Sequence, residues 1–318
     1  MSSSNPDSTI REFNVLKQIC DPGLPLDSRV IVGPGDDLAV MLAQPPGEHA
    51  DDGLRLLLGV DQLIDGIHLS LADCGLELAG RKAVARSLSD LAAMAARPLA
   101  TLVSAAVPVS FTDDQAMILF ESMKRTAEEY HAPLVGGDLS VHKNPEAPLC
   151  CSVTVAGVAP AGGEVTRFGA CEGDGIYVTG CLGGAWKGDH HLNFRPRLAE
   201  ASMLRAILQD RLHAMIDISD GLGQDAGHLV ERSSLQIMLD ADRIPLREGA
   251  NLEQALKDGE DYELLFAASG EVPDGLGNCV VTRIGTVTAR LEDDAPGVII
   301  QSADGHRDVA TDGWEHSA

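Results

Sequence analysis

Aromatic side chains are scarce in this chain, at 3% of 318 residues, with two tryptophans and three tyrosines. A large aromatic core is thereby excluded, and the interior has to be filled by Ala, Val, Leu and Ile. Positive charge is also short: 24 Lys and Arg face 48 Asp and Glu, for a formal net charge of −24. A field of that sign repels nucleic acid and anionic membrane surfaces, so neither is expected as a partner. It would equally repel a nucleotide unless cations bridge protein and phosphate. No uninterrupted apolar run reaches the roughly 18 residues of a membrane span, and Met1 to Ile10 lacks the apolar stretch of a signal peptide. A soluble, cytoplasmic protein is expected. The seven cysteines contain no Cys-x-x-Cys pair, and an odd number cannot all pair internally. They read as small buried thiols in a reducing compartment.

The familiar phosphate-binding and nucleophile motifs are missing as well. There is no Gly-x-x-x-x-Gly-Lys-Ser/Thr loop, no Gly-x-Gly-x-x-Gly after a strand, no Gly-x-Ser-x-Gly elbow and no His-Arg-Asp catalytic set. Nucleotide chemistry here would need a metal-led site.

What is present is a foldable α/β pattern, 44% hydrophobic. Strands are expected over Leu54 to Val60, Thr101 to Val107, Pro133 to Val135 and Leu149 to Val158. Helical spacing runs from Leu78 to Ala96, with Arg97-Pro98 as the stop, and again from Asp113 to Tyr130. A Gly/Pro cluster at Ala159 to Gly163 marks an expected boundary between domains 1–160 and 161–318. Beyond it, strands are expected at Gly175 to Thr179, Ala214 to Ile218, Leu264 to Ala267 and Cys279 to Val287. Helices are expected near Ala199 to Gln209 and, after the strand at Ala214 to Ile218, through about Arg232. The fold class is α/β or α+β, in two domains.

Asp recurs where strands end or turns begin: Gly35-Asp36-Asp37, Val60-Asp61, Gly136-Gly137-Asp138 and Ile216-Asp217-Ile218-Ser219-Asp220-Gly221. One Asp beside Gly is ordinarily a turn former. The set is harder to dismiss. Asp90 stands inside a helical pattern, where Asp has poor propensity. Asp61 and Asp217 each close an apolar strand, where an unpaired carboxylate is costly to bury. Converging carboxylates suit Mg²⁺, a hard ion that prefers oxygen ligands.

In order along the chain, Arg11-Glu12-Phe13, Gly35-Asp36-Asp37, Asp61 through His68, Leu88-Ser89-Asp90-Leu91-Ala92-Ala93-Met94, Gly136-Gly137-Asp138, Arg167, Gly173-Asp174, Tyr177 to Gly180, Asp217 to Leu222, Gly259-Glu260-Asp261-Tyr262-Glu263-Leu264 and Gly313-Trp314 together resemble the thiamine-monophosphate kinases. That family shares a superfamily with aminoimidazole ribonucleotide synthetase and selenophosphate synthetase. The resemblance implies an N-terminal ATP-binding domain that pairs with its twin in a homodimer, and a C-terminal domain that closes the cleft. It implies several Mg²⁺ ions on Asp37, Asp61, Asp90, Asp138, Asp217 and Asp220, with Asp90 and Asp220 central to catalysis. Asp36 is left as the alternative ligand or a turn cap. Gly137, Asp138, Arg167 and Ser219 match positions at ATP; His68, Glu260 and Trp314 match positions at thiamine monophosphate. Taken singly, these residues read as a partly buried histidine, a surface cation, a turn acid and a packing ring.

The chain departs from the family pattern at Gly59-Val60, where hydroxyl residues are usual, and at Ser87 and Leu139. Two rivals follow: a superfamily relative with another acceptor, and a nucleotide-binding regulator without turnover. No cysteine sits where a selenophosphate synthetase or a hydrogenase-maturation relative would be expected to carry one.

Overall fold

The computed structural model describes residues 27–33, 35–43, 54–290, 297–303 and 305–314. The Arg11-Glu12-Phe13 block and Cys20 lie outside them. The first half runs β1 (Val30–Val32), β2 (Ala39–Leu42), β3 (Arg55–Ile64), α1 (Leu71–Ala93), β4 (Arg97–Pro108), α2 (Asp113–Glu129), β5 (Leu134–His142) and β6 (Cys150–Val158). These six strands form one sheet in the order β1-β2-β3-β6-β4-β5. Its β4–β5 pair is parallel and so needs a crossover, which α2 supplies. A capping box fixes the start of α2: Thr112 accepts from the Gln115 backbone, and the Gln115 side chain returns the bond.

The second half runs β7 (Gly175–Thr179), α3 (His190–Asn193), α4 (Leu198–Leu208), β8 (Leu212–Asp217), α5 (Leu222–His228), β9 (Leu235–Asp240), α6 (Leu252–Lys257), β10 (Leu264–Ala268), β11 (Gly275–Leu276), β12 (Cys279–Ala289), β13 (Val298–Ser302) and β14 (Gly305–Asp308). The second sheet is ordered β14-β13-β9-β12-β7-β10-β8, with β11 against β12. β7 and β10 are buried throughout, because both faces of this sheet are covered. Ile176, Val178, Ile216 and Leu265 point into one core, while Tyr177, Met215, Leu264 and Phe266 point into another. That second core also takes Ala92 and Ala95 from the end of α1 and Leu204 from α4.

Helix α1 is therefore shared. Ala79, Val84, Leu88 and Leu91 pack into the core of the first sheet, and the helix's last turn reaches the second. From Ala79 to Ala93 every residue except Arg81, Arg86 and Asp90 is buried, as a helix packed from both sides demands. It delivers Asp90 to the end of β8, where Asp217 stands.

The mixed α/β class agrees with expectation; several element bounds do not. Arg97-Pro98 does not stop the helix: α1 ends at Ala93, Ala95 takes φ 53°, and Arg97 and Pro98 open β4. The expected three-residue strand at Pro133 is the nine-residue β5. Gly136 and Gly137 lie inside that strand, not in a turn. A Cβ on Gly137 would fall 2.0 Å from the Val103 carbonyl oxygen, so glycine serves close strand packing there. Asp61 lies inside β3, paired with Val153, because the alternating pattern continues through Gln62 and Ile64. Cys151 and Cys279 are buried, but Cys171 and Cys181 are exposed. Among the described residues, no helix is long and apolar enough to cross a membrane.

Candidate active site

Three carboxylates from separate elements meet where the two sheets adjoin: Asp37 from the turn before β2, Asp90 from α1 and Asp217 from the end of β8. Their oxygens lie within 4.8 Å of one another. Ser89 Oγ donates to Asp217 Oδ2 at 2.5 Å. Asp36 accepts from the Asp37 amide at 2.9 Å and so caps its own turn. Asp37 instead faces the cluster, takes a bond of 2.5 Å from Arg167 Nη2, and keeps a buried Oδ2 without a hydrogen-bond partner.

Such crowding opposes ionisation. Burial, then the charges of Asp61, Asp217 and Asp37, pushes Asp90 well above the usual carboxylate range. Burial and Asp37 raise Asp217 to about 7 despite the Ser89 bond. Burial and Asp37 likewise raise Asp36 to about 7, against the pull of Arg167. Close carboxylates with one orphaned oxygen fit a hard divalent cation.

Beside the cluster opens a cavity of about 220 Å³. Asp61, Asp90, Asp217, Ser219 and Asp220 form its acidic wall; Ile67, His68, Trp186, Glu260, Tyr262 and Trp314 form the rest with Arg86 and Asp258. The loop behind it is pinned from two sides. Asp225 Oδ2 accepts from the amides of Ser219, Asp220 and Gly221, each at 3.1 Å. From the other side, Glu260 N and Tyr262 N donate to the carbonyls of Ser219 and Ile218 at 2.7 Å. Glu260 and Tyr262 both hold positive φ, at 60° and 51°, an unusual backbone that concentrates at functional sites. Gly259 is required between them and β8: a Cβ there would fall 2.4 Å from the Ser219 carbonyl oxygen.

Glu260 is not a solvated turn residue. It is buried, and its carboxylate lies 2.6 Å from Lys82 Nζ, whose side chain is wholly inaccessible. Lys82 also donates to the His68 carbonyl at 2.5 Å and lies 3.1 Å from His191 Nδ1. The His68 ring accepts from the Ile64 amide at 2.9 Å.

Comparison with known proteins shows the family. A family model described as AIR synthase related protein, N-terminal domain, matches residues 35–159. A thiamine-monophosphate kinase of Rhodopirellula baltica is 35% identical over 278 residues, spanning 82% of this chain and 85% of that one. The chain belongs to the thiamine-monophosphate kinase family. A solved structure described as "AaThiL complexed with AMPPCP and TMP" is 28% identical, with a TM-score of 0.75 over 96% of this chain and 97% of its own. The thiamine-monophosphate kinase of Stenotrophomonas maltophilia K279a is 29% identical, with a TM-score of 0.66 over 92% and 97%.

Of the site residues expected for this family, Asp61, His68, Asp90, Asp217, Ser219, Asp220, Glu260 and Trp314 line the cavity. Asp37 joins through the carboxylate cluster, and Arg167 stands against Asp36 and Asp37. Gly137 and Asp138 are apart from these, exposed on the edge strand β5. Lys82, Arg86, Trp186, Tyr262 and Asp225 were not anticipated. A signal for the first two exists: Lys82, Arg86 and Asp90 recur every fourth residue, a charged stripe along an otherwise apolar helix.

The carboxylate cluster carries a pH signature. Asp36 and Asp217 titrate near 7 in the fold against an ordinary 3.8, so the native state binds more protons than the unfolded one between about pH 4 and 7. Without divalent cations, stability should fall as pH rises through that window. Mg²⁺ should then raise the melting temperature more at pH 8 than at pH 5. Thermal unfolding in chelator and in Mg²⁺ at both values checks this; a chelated protein equally stable at pH 5 and 8 would refute it.

Proposed function

We propose that this chain transfers the γ-phosphoryl group of ATP to thiamine monophosphate, giving thiamine diphosphate and ADP. The observation that carries the reading is the carboxylate cluster of Asp37, Asp90 and Asp217, opening on a cavity that also holds His68, Glu260 and two tryptophans. One wall suits cation-bound phosphates and the other a flat heteroaromatic ring. Asp37, Asp61, Asp90, Asp217 and Asp220 are the proposed ligands of several Mg²⁺ ions; Asp138, apart from them on β5 in one chain, would have to join from the second chain of the homodimer. When bound there, the metal offsets the repulsion of two phosphate anions, roughly 4 kcal/mol for unit charges ~4 Å apart at an effective dielectric near 20.

The residues then have separable tasks. The acceptor is a phosphate monoester, mostly ionised near neutral pH, so its oxygen attacks without a general base. Asp90 and Asp220 fix the geometry for in-line transfer. Arg167, beside Asp37, adds a guanidinium fork for nucleotide phosphates, with Ser219 on the same substrate and Gly137 and Asp138 reaching it only from a second chain. His68, Glu260 and Trp314 orient the thiamine moiety, Glu260 by charge and Trp314 by stacking on a cationic ring.

A homodimer formed by domain 1–160, with domain 161–318 closing the cleft, is part of this reading. Leu139 and Val141, opposite Ala105 and Val107 of β4, continue that core face across β5 yet are 47 and 59% exposed in one chain. An edge strand with such a face calls for cover. A cytoplasmic location fits a reaction that uses ATP.

The test is ADP release from ATP and Mg²⁺ with thiamine monophosphate, thiamine or an aminoimidazole ribonucleotide precursor as acceptor. Turnover should require thiamine monophosphate, and ATP alone should leave no phosphorylated protein. Turnover with another acceptor in its place would refute the assignment, and a one-chain mass by light scattering would refute the dimer.

A further inference from the structure

The chain's two tryptophans both line the acidic cavity. Trp314 has a family counterpart at the acceptor; Trp186 enters from the turn between β7 and α3. Its indole stacks on the His191 ring, with centroids 4.2 Å apart and 30° between planes. Lys82 Nζ stands 5.0 Å from the indole centroid. Since Lys82 Nζ and His191 Nδ1 are themselves 3.1 Å apart, the two brace the indole together. Lys82 is in turn the ion-pair partner of Glu260, so one buried ammonium orients both residues. Yet Trp186 remains 42% exposed. It is a large apolar ring, held from behind and open in front.

What lies behind it adds a second observation. Another cavity, of about 250 Å³, is lined by Leu69, Leu78 and Leu192 together with Ser70, Asp73, Cys74, Asp189 and His191. Trp186 is the one lining residue common to the two cavities, and its indole is the partition. A residue that merely filled core space would not stand between two cavities with its ring open to the acidic one.

We infer that Trp186 is the end wall of the acceptor pocket: it stacks on the heteroaromatic cation of the acceptor and sets how long an acceptor the pocket takes. This rests on the kinase reading above. The chemistry is that of an indole face toward a flat cation, a favourable quadrupole–charge contact strengthened where water is excluded.

The experiment uses the full chain as W186A, W186F and W314F. In W186A the KM for thiamine monophosphate should rise about tenfold, the scale of a lost stacking contact, while the KM for ATP stays within about twofold. W186F should remain within about threefold of the unaltered chain, because a ring is retained. W314F leaves Trp186 as the sole tryptophan, and its fluorescence should be quenched by thiamine monophosphate without nucleotide. W186A should also turn over acceptors lengthened at the ring end that the unaltered chain rejects. An unmoved KM for thiamine monophosphate in W186A, or an equal rise in both KM values, would overturn the inference while the kinase reading stands. Failure of the unaltered chain to turn over thiamine monophosphate would sink that reading and the inference with it.

Discussion

Asp90→Asn should lower kcat by about a thousandfold, close to 4 kcal/mol of transition-state stabilisation, and yet make the metal-free protein more stable. Asn keeps the volume and one oxygen of the side chain, so α1 and its packing are preserved. What is lost is a negative charge at the point where Asp37 and Asp217 converge. In the absence of cations that charge is unwelcome: burial and three neighbouring carboxylates already hold Asp90 toward its protonated form. The substitution removes the repulsion, so the melting temperature in chelator should rise. In the presence of Mg²⁺ it would remove a proposed ligand, and activity should collapse. A residue with only a structural role would lose stability in both conditions and keep its chemistry. Steady-state rates and thermal unfolding with and without Mg²⁺ separate the two cases. Activity within tenfold of the unaltered chain would show that Asp90 is not a ligand.

That trade of stability for function explains which parts of the site could be read in advance. Asp90 and Asp217 break local rules: a carboxylate in an apolar helix and another closing an apolar strand have no local justification, so each points beyond its own element. Lys82 breaks the same rule, but a lysine among alanines and valines also reads as a solvent-facing stripe. Only the tertiary fold shows that α1 has no solvent side there. Trp186 sits in a glycine-rich turn with no periodicity to place it, and its contacts with Lys82 and His191 are long-range. The Gly136-Gly137 pair was misleading for a physical reason. Glycine marks both turns and close strand approach, and here Val103 across β4 decides the matter. β9 and β13 escaped notice although they are as long as β7 and β8; their parallel pairing is fixed only by the assembled sheet. The overall α/β class was legible because central strands such as β6, β7 and β10 are mostly apolar runs that alternate with helical patterns.

Lys82→Met should cost about 3–5 kcal/mol of stability, the scale expected when one partner of a buried ion pair is removed. Methionine fills much the same space, so the loss does not come from a cavity. It comes from Glu260, whose carboxylate lies 2.6 Å from Lys82 Nζ on a backbone held at φ 60°. Without the ammonium, that carboxylate is left buried beside an aromatic wall, and the His68 carbonyl and His191 ring lose their shared donor. Lys82 is itself driven below the usual lysine range, first by burial, with the attraction of Glu260 opposing. The pair therefore exists because each charge offsets the other's desolvation, not because either charge favours the interior. It follows that Glu260→Gln should be milder, since the amide oxygen can still accept from Lys82. The double variant Lys82→Met with Glu260→Gln should recover much of the stability, a coupling of about 1–3 kcal/mol in a double-mutant cycle. Thermal or denaturant unfolding of the four proteins measures this directly. Additive losses would mean that Lys82 acts through the helix alone and that Glu260 is positioned by its loop, without help from the other half of the chain.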